Sequence, residues 1–275
     1  MENELTPEEN ANTEEIITPP EKLEENETVV QKKPKSKFFI NGGLYSFLLT
    51  FGIVFLVSLY IFQVFMSPIK VVGKSMQPTI NASVVSDSDE DHCDIVYFHK
   101  QNSYTNEDIV IISNKDDKYV ESADPEKPVS YLIKRVIACP GDTITFYVTN
   151  LENETYYYDI LVKNDDGKTL SLSDDYLSEE MKFTYGEYMI NKFYYETYNE
   201  IFSALANSTT ENYTSYSLTV ENNQYFVMGD NRNHSEDSRY FGVVSVDSIS
   251  GKVLLQVKYG QNIWQALLQK LKEQF

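Results

Sequence analysis

Between Phe38 and Ile69 the chain runs for 32 positions without a charged residue. Its most apolar part, Leu44 to Met66, is 23 residues long. As a helix that stretch extends ~35 Å, enough for the ~30 Å hydrocarbon core of a bilayer. A buried helix of a soluble domain rarely carries so long an uncharged run. A cleaved leader would be shorter and would end on a small-residue site, and none follows here. The run therefore predicts one membrane-spanning helix within 38–69. On its N-terminal side, residues 1–30 hold ten glutamates and one lysine, which reads as a disordered acidic tail. Residues 31–37 then bring four lysines, whereas the far flank has only Lys70 and Lys74. An excess of lysine marks the cytoplasmic side. The expectation is a cytoplasmic tail at 1–37 and an extracytoplasmic domain at 70–275.

Past the span the pattern changes to short apolar runs separated by polar clusters: Asp94–Phe98, Ile109–Ile112, Tyr131–Ala138, Thr143–Val148, Tyr156–Val162, Ser217–Val220, Tyr225–Met228 and Gly251–Tyr259. With 21 Tyr and 15 Phe in the chain, such runs predict a mainly-β domain. The stretch from about 150 to 224 is rich in Tyr, Asn, Thr and Glu and carries no readable motif beyond weak glycosylation sequons at Asn153 and Asn212. From Gly260 onward, Ile263, Trp264, Leu267, Leu268, Leu271 and Phe275 gather near one helical face. That helix is too short to span, and either packs on the domain or lies on a bilayer surface. A net charge of −19 argues against nucleic-acid partners. Two cysteines and three histidines show no metal-ligand spacing, so no metal or cofactor is expected. Cys93 and Cys139 sit on separate predicted strands and are expected as thiols.

Three stretches carry chemistry. The first is Val-Val-Gly-Lys-Ser-Met-Gln-Pro-Thr-Ile, 71–80, a strand running into a turn that presents Ser75. Alone, a serine between Gly and Pro is usually only a turn former. The second is Tyr131 to Asp142. Alternation along a strand puts Lys134 on the face of Leu132, Val136 and Ala138, and Arg135 on the other. Burial drives a lysine toward its neutral form, which is a general base; a snorkelling lysine with its head in water is the plainer alternative. The third is Phe226 to Gly242, where a strand ends at Gly229 and a loop of short hydrogen-bonding side chains follows. Its Asp230, Asn231, Glu236 and Asp237 lack the spacing of a calcium loop, and Arg232 and Arg239 would compete with a cation.

Together, in this order behind an apolar run, these stretches resemble the type I signal peptidases, membrane-bound Ser-Lys endopeptidases of protein export. The matching pieces are Ser-Met-x-Pro-Thr at 75–79, Lys-Arg-Val at 134–136 leading to Pro140-Gly141-Asp142, and Gly-Asp-Asn-Arg-x-x-Ser-x-Asp-Ser-Arg at 229–239. Asp94–Phe98 resembles the family's further strand. The resemblance covers 67–100, 131–146 and 225–258. It implies Ser75 as nucleophile and Lys134 as general base, with Ser235 bonding and orienting the amine. It further implies a supporting pair Asp237–Arg239, Asp230 fixing the loop, the backbone N–H of Ser75 in the oxyanion site, and Gly73 and Met76 at the substrate. The fold it implies is a single transmembrane helix followed by a mainly-β catalytic domain with a β-rich insertion at 147–222. The substrates would be exported precursors carrying signal peptides with small residues at −1 and −3, met at the lipid bilayer. Gly73 stands where one branch has a serine as second oxyanion donor, and His92-Cys93 where Arg-Gly is common.

Other readings are an accessory or specialised peptidase of the same fold, as in pilus assembly, a Ser-Lys autoprotease of the repressor type, and an anchored adhesin. The first would be expected to lose Ser75 or Lys134. The second needs a soluble DNA-binding domain, and the third leaves both boxes unexplained.

Overall fold

The computed structural model describes residues 42–273 apart from 87–88, 90, 116–117, 122–125, 127–128 and 174. The acidic tail, the lysine cluster and Phe275 lie outside the described residues. The chain falls into two compact units, 1–53 and 54–275, with the border inside the first helix.

That helix, α1 (Gly42–Phe65), has 24 residues, and its stretch Gly43–Ile61 has a mean hydropathy of 2.2. It is apolar all round, and none of that stretch is buried. Length and composition suffice to cross a membrane.

The second unit is mainly β. Its strands are β1 (Ser67–Lys70), β2 (Ile95–His99), β3 (Ile109–Ser113), β4 (Tyr131–Ala138), β5 (Thr143–Glu152), β6 (Thr155–Lys163), β7 (Thr169–Leu170), β8 (Lys182–Thr184), β9 (Ser215–Thr219), β10 (Gln224–Met228), β11 (Val244–Ser245) and β12 (Ile249–Val257). Its helices are α2 (Tyr185–Asn191), α3 (Glu196–Ala206), α4 (Ser238–Phe241) and α5 (Ile263–Glu273). Each of the eight apolar runs seen in the sequence becomes a strand. One sheet has the order β1-β2-β12-β3-β4-β10-β11, and the other β7-β6-β5-β9 with β8 also on β6. Neighbouring strands in both are antiparallel.

Segment 147–222 is more than strands. α2 starts on a capping box, Thr184 with Glu187, a pattern legible as T-x-x-E. α3 buries Tyr198, Ile201, Phe202 and Leu205, the i, i+3, i+4, i+7 stripe of an amphipathic helix. These residues share one core with Phe146, Tyr158 and Phe183 of the second sheet and with Ile137, Ala138, Phe226 and Met228 of the first. The segment is thus fused through packing to β4 and β10, the strands that lead into the Lys134 and Gly229 boxes.

Candidate active site

β1 ends at Lys70, and the chain then turns at Gly73, whose φ of +94° favours glycine. Asn81 holds this turn shut. It is fully buried and donates from Nδ2 to the carbonyls of Val71 (2.8 Å) and Gly73 (2.9 Å). Its Oδ1 accepts the Asp94 N–H at 2.8 Å, and its own N–H donates to Asp94 Oδ2 at 2.8 Å. The Asp94 carboxylate also accepts from Gln256 Nε2 and the Tyr259 N–H. The serine loop is thereby pinned to the start of β2 and the end of β12.

Ser75 Oγ accepts a hydrogen bond from Lys134 Nζ at 3.0 Å. β2, β12 and β3 lie between β1 and β4 in the sheet. A flat sheet would separate those two strands by ~19 Å, so the sheet curls to bring them together. Val71, Met76, Ile80, Val96, Ile111 and Ile133 fill the inside of this curl. Lys134 is 3% exposed. Burial pushes its amine down to about 8, against the pull of Asp237 and Glu236. The alternation along β4 did not expose Arg135, which is buried as well.

Arg135 instead grips the third stretch. Its Nε and Nη2 donate to Asp230 Oδ1 (2.8 Å) and Oδ2 (2.6 Å), a bidentate pair. Asp230 Oδ2 also accepts from Thr79 Oγ1 at 2.6 Å. Asp230 therefore ties β4 to the serine loop. Asp237 is fully buried and accepts from Arg239 Nε and Nη2, both at 2.8 Å, and from the Gly229 N–H at 3.0 Å. Burial alone would raise its pKa, but Arg239 holds it below the usual carboxylate range. Arg239 Nη1 in turn donates to Tyr158 Oη at 2.7 Å, a residue of β6. The Asn231 N–H donates to the Ser75 carbonyl at 3.0 Å. Gly229 sits against the same carbonyl, where any Cβ would overlap both it and Ser235 Oγ.

Ser75, Lys134, Asp230, Asp237 and Arg239 thus lie together around the serine loop. Two details differ. Ser235 Oγ is buried and makes no hydrogen bond among the described residues. It occupies the space left by the missing side chain of Gly229 and is not bonded to the Lys134 amine. Met76, expected at the substrate, is 1% exposed and packs inside the curl, because an unbranched apolar side chain there is drawn into the core. Gly73 shapes the backbone and does not line the adjoining cleft. That cleft has a volume of about 130 Å³ and opens beside Ser75 and Lys134, with Ile69, Val71, Val72, Ile111 and Ile133 in its walls. Asn81 and Arg135 were missed as organisers, since their partners are distant in sequence or peptide groups. His234 is exposed. Cys93 and Cys139 are not bridged; burial pushes the Cys139 thiol up to about 12.

A family model described as signal peptidase, peptidase S26, matches residues 44–258. Signal peptidase IB of Staphylococcus aureus is 26% identical over 210 residues, covering 76% of this chain and 87% of that protein. Signal peptidase I of Aquifex aeolicus is 30% identical over 154 residues, 48% of this chain and 58% of that protein. A crystal structure of a signal peptidase I from Enterococcus faecalis overlaps 56% of this chain and 97% of its own, at 22% identity and a TM-score of 0.27, too low to carry weight.

Proposed function

Since this chain belongs to the signal peptidase family, peptidase S26, we propose that it removes N-terminal signal peptides from exported precursors through a Ser75–Lys134 dyad. The family makes it a serine peptidase that processes signal peptides. The observation that carries the dyad is the 3.0 Å bond from a buried amine to the Ser75 hydroxyl. With its pKa lowered to about 8, a substantial fraction of Lys134 is neutral near pH 7–8.

In the proposed reaction, neutral Lys134 takes the Ser75 proton as Oγ attacks the scissile carbonyl. The negative charge that develops on the carbonyl oxygen meets the N–H of Ser75, which donates to no group among the described residues. The ammonium then protonates the leaving amine, and the mature chain departs. An acyl-enzyme ester remains on Ser75. Lys134, neutral again, deprotonates a water that attacks the ester and releases the signal peptide as a carboxylic acid. Asp230 and Asp237 hold the Gly229 loop behind Ser75.

The precursor would enter as an extended strand. Among the described residues, β4 pairs with β10 from Arg135 onward, while Tyr131–Lys134 is paired only with β3. Among the same residues, β1 is paired only with β2. Two open strand edges therefore border the 130 Å³ cleft and favour β-augmentation. Its apolar, shallow walls suit Ala-sized side chains at −1 and −3. With α1 across the membrane, residues 1–37 are cytoplasmic and 70–275 outside, with 147–222 an insertion in the catalytic domain.

The test is to incubate the detergent-solubilised full chain with an exported precursor and to map the product by intact mass. A cut after a small residue, with another small residue two positions earlier, is expected. No cut, or an equal cut by Ser75→Ala, refutes the proposal.

A further inference from the structure

α5 has two apolar faces. One carries Ile263, Ala266 and Leu267 and packs on Leu255 and Val257 of β12 and on Tyr97 of β2. The other carries Trp264, Leu268 and Leu271, at i, i+4 and i+7. They are 55%, 60% and 52% exposed, and no described residue covers them. A helix that has docked on its own domain gains nothing in water from a second apolar stripe. Packing on the domain and lying on a surface, posed by the sequence as alternatives, are therefore compatible here.

The sheet register says what meets that stripe. Ser67 pairs with Phe98, and Phe98 with Val253. Ser67 stands two residues past Phe65, the last residue of α1. Val253 is thus two strands, roughly 10 Å, from the point where the chain leaves its apolar helix. α5 runs back along β12 toward that level: Ala266 packs near Leu255 and Val257, and Lys270 Nζ donates to the Leu254 carbonyl. The last turn of α5 accordingly lies at the level of the sheet nearest to the membrane exit. Two exposed residues of that turn, Lys270 and Lys272, flank Leu271. Lys272 beside this apolar stripe suits an anionic leaflet, with its stem along the acyl boundary and its ammonium at the phosphates.

We propose that α5 is an interfacial helix whose Trp264–Leu268–Leu271 face inserts into the leaflet next to α1, giving the domain a second membrane attachment. It would hold the cleft at a fixed height and orientation to a precursor that is itself embedded in the bilayer. The inference rests on α1 spanning the membrane.

Trp264 is the chain's single tryptophan and so reports its own surroundings. The full chain is reconstituted into phosphatidylcholine–phosphatidylglycerol vesicles with plain or brominated acyl chains, and flotation checks its insertion. The expected result is blue-shifted emission that brominated lipid largely quenches and aqueous acrylamide quenches weakly. Leu268→Glu with Leu271→Glu alters exposed positions only. It should shift the emission red, relieve bromine quenching and slow cleavage of a membrane-inserted precursor several-fold, while cleavage of a short soluble peptide is unchanged. A chain that floats with the vesicles but keeps full emission in brominated lipid overturns the α5 assignment alone. Shielding from acrylamide without bromine quenching means that protein covers the stripe, and overturns it too. Bromine quenching equal in the double variant and the parent also overturns it. A chain that fails to float removes both α5 and the α1 span.

Discussion

Lys134 Nζ meets Ser75 Oγ at 3.0 Å across the mouth of a curled sheet, from a strand separated from β1 by three others. Because burial lowers the amine to about 8, kcat/KM should rise with pH through that value, well below the ordinary lysine range near 10.4. Lys134→Arg should lose roughly 10⁴-fold or more, since a guanidinium stays protonated. His234→Ala should keep most activity, because that side chain is exposed and outside the bonded constellation. Cleavage of one precursor across a pH series measures all three; an active Lys134→Arg enzyme would sink the dyad.

The same burial costs stability. The folded-state pKa of Lys134 lies below its unfolded value of 10.5. The folded chain therefore sheds this proton first, and the group's contribution improves as pH climbs from about 8 to 10.5. Below that window both states are protonated and the burial cost is complete, about 3 kcal/mol from the gap between 10.5 and about 8. Lys134→Met should then be inactive yet more stable at pH 7, with an advantage that shrinks toward pH 10. Denaturant midpoints at the two pH values test this.

Gly229 has no room for a side chain against the Ser75 carbonyl and Ser235. Gly229→Ala should destabilise by ~1–3 kcal/mol. It should cut kcat by about 10²-fold, because the nucleophile's backbone must move. A variant with unchanged kcat would show that the serine loop does not depend on this contact.

Asn81 spans four hydrogen bonds to Val71, Gly73 and Asp94 at a φ of +62°. Asn81→Ala loses the side-chain bonds and strains the backbone, for a combined ~2–4 kcal/mol. Asn81→Gly relieves the strain but not the lost bonds. It should be intermediate in stability and impaired in kcat. Equal stability of the two variants would assign the whole effect to the side chain.

Topology is checked by protease added to intact spheroplasts. It should remove the large domain and spare the tail at 1–37. Loss of the tail alone would invert the orientation.

Local pattern alone determined much of this protein. An uncharged run long enough for a bilayer can only be a helix there, because every peptide group must bond within the segment. Short apolar runs between polar clusters, rich in aromatic and β-branched residues, marked the eight long strands, since such side chains fit a pleated, partly buried surface. Alternation along 131–138 put Lys134 on an apolar face but left open whether its amine is buried or reaches water. α2 and α3 had legible signals, a capping box and a four-residue stripe, but lay in a Tyr- and Asn-rich stretch whose overall composition obscured them. Tertiary structure decided the rest. The curl that joins Ser75 to Lys134, the grip of Arg135 on Asp230, the Asn81 latch and the unbonded hydroxyl of Ser235 all depend on chain segments far apart in sequence. Their geometry is set by which strands pair and how tightly the cores close between them. Local periodicity records which face of a strand is buried, but not which distant residue it meets.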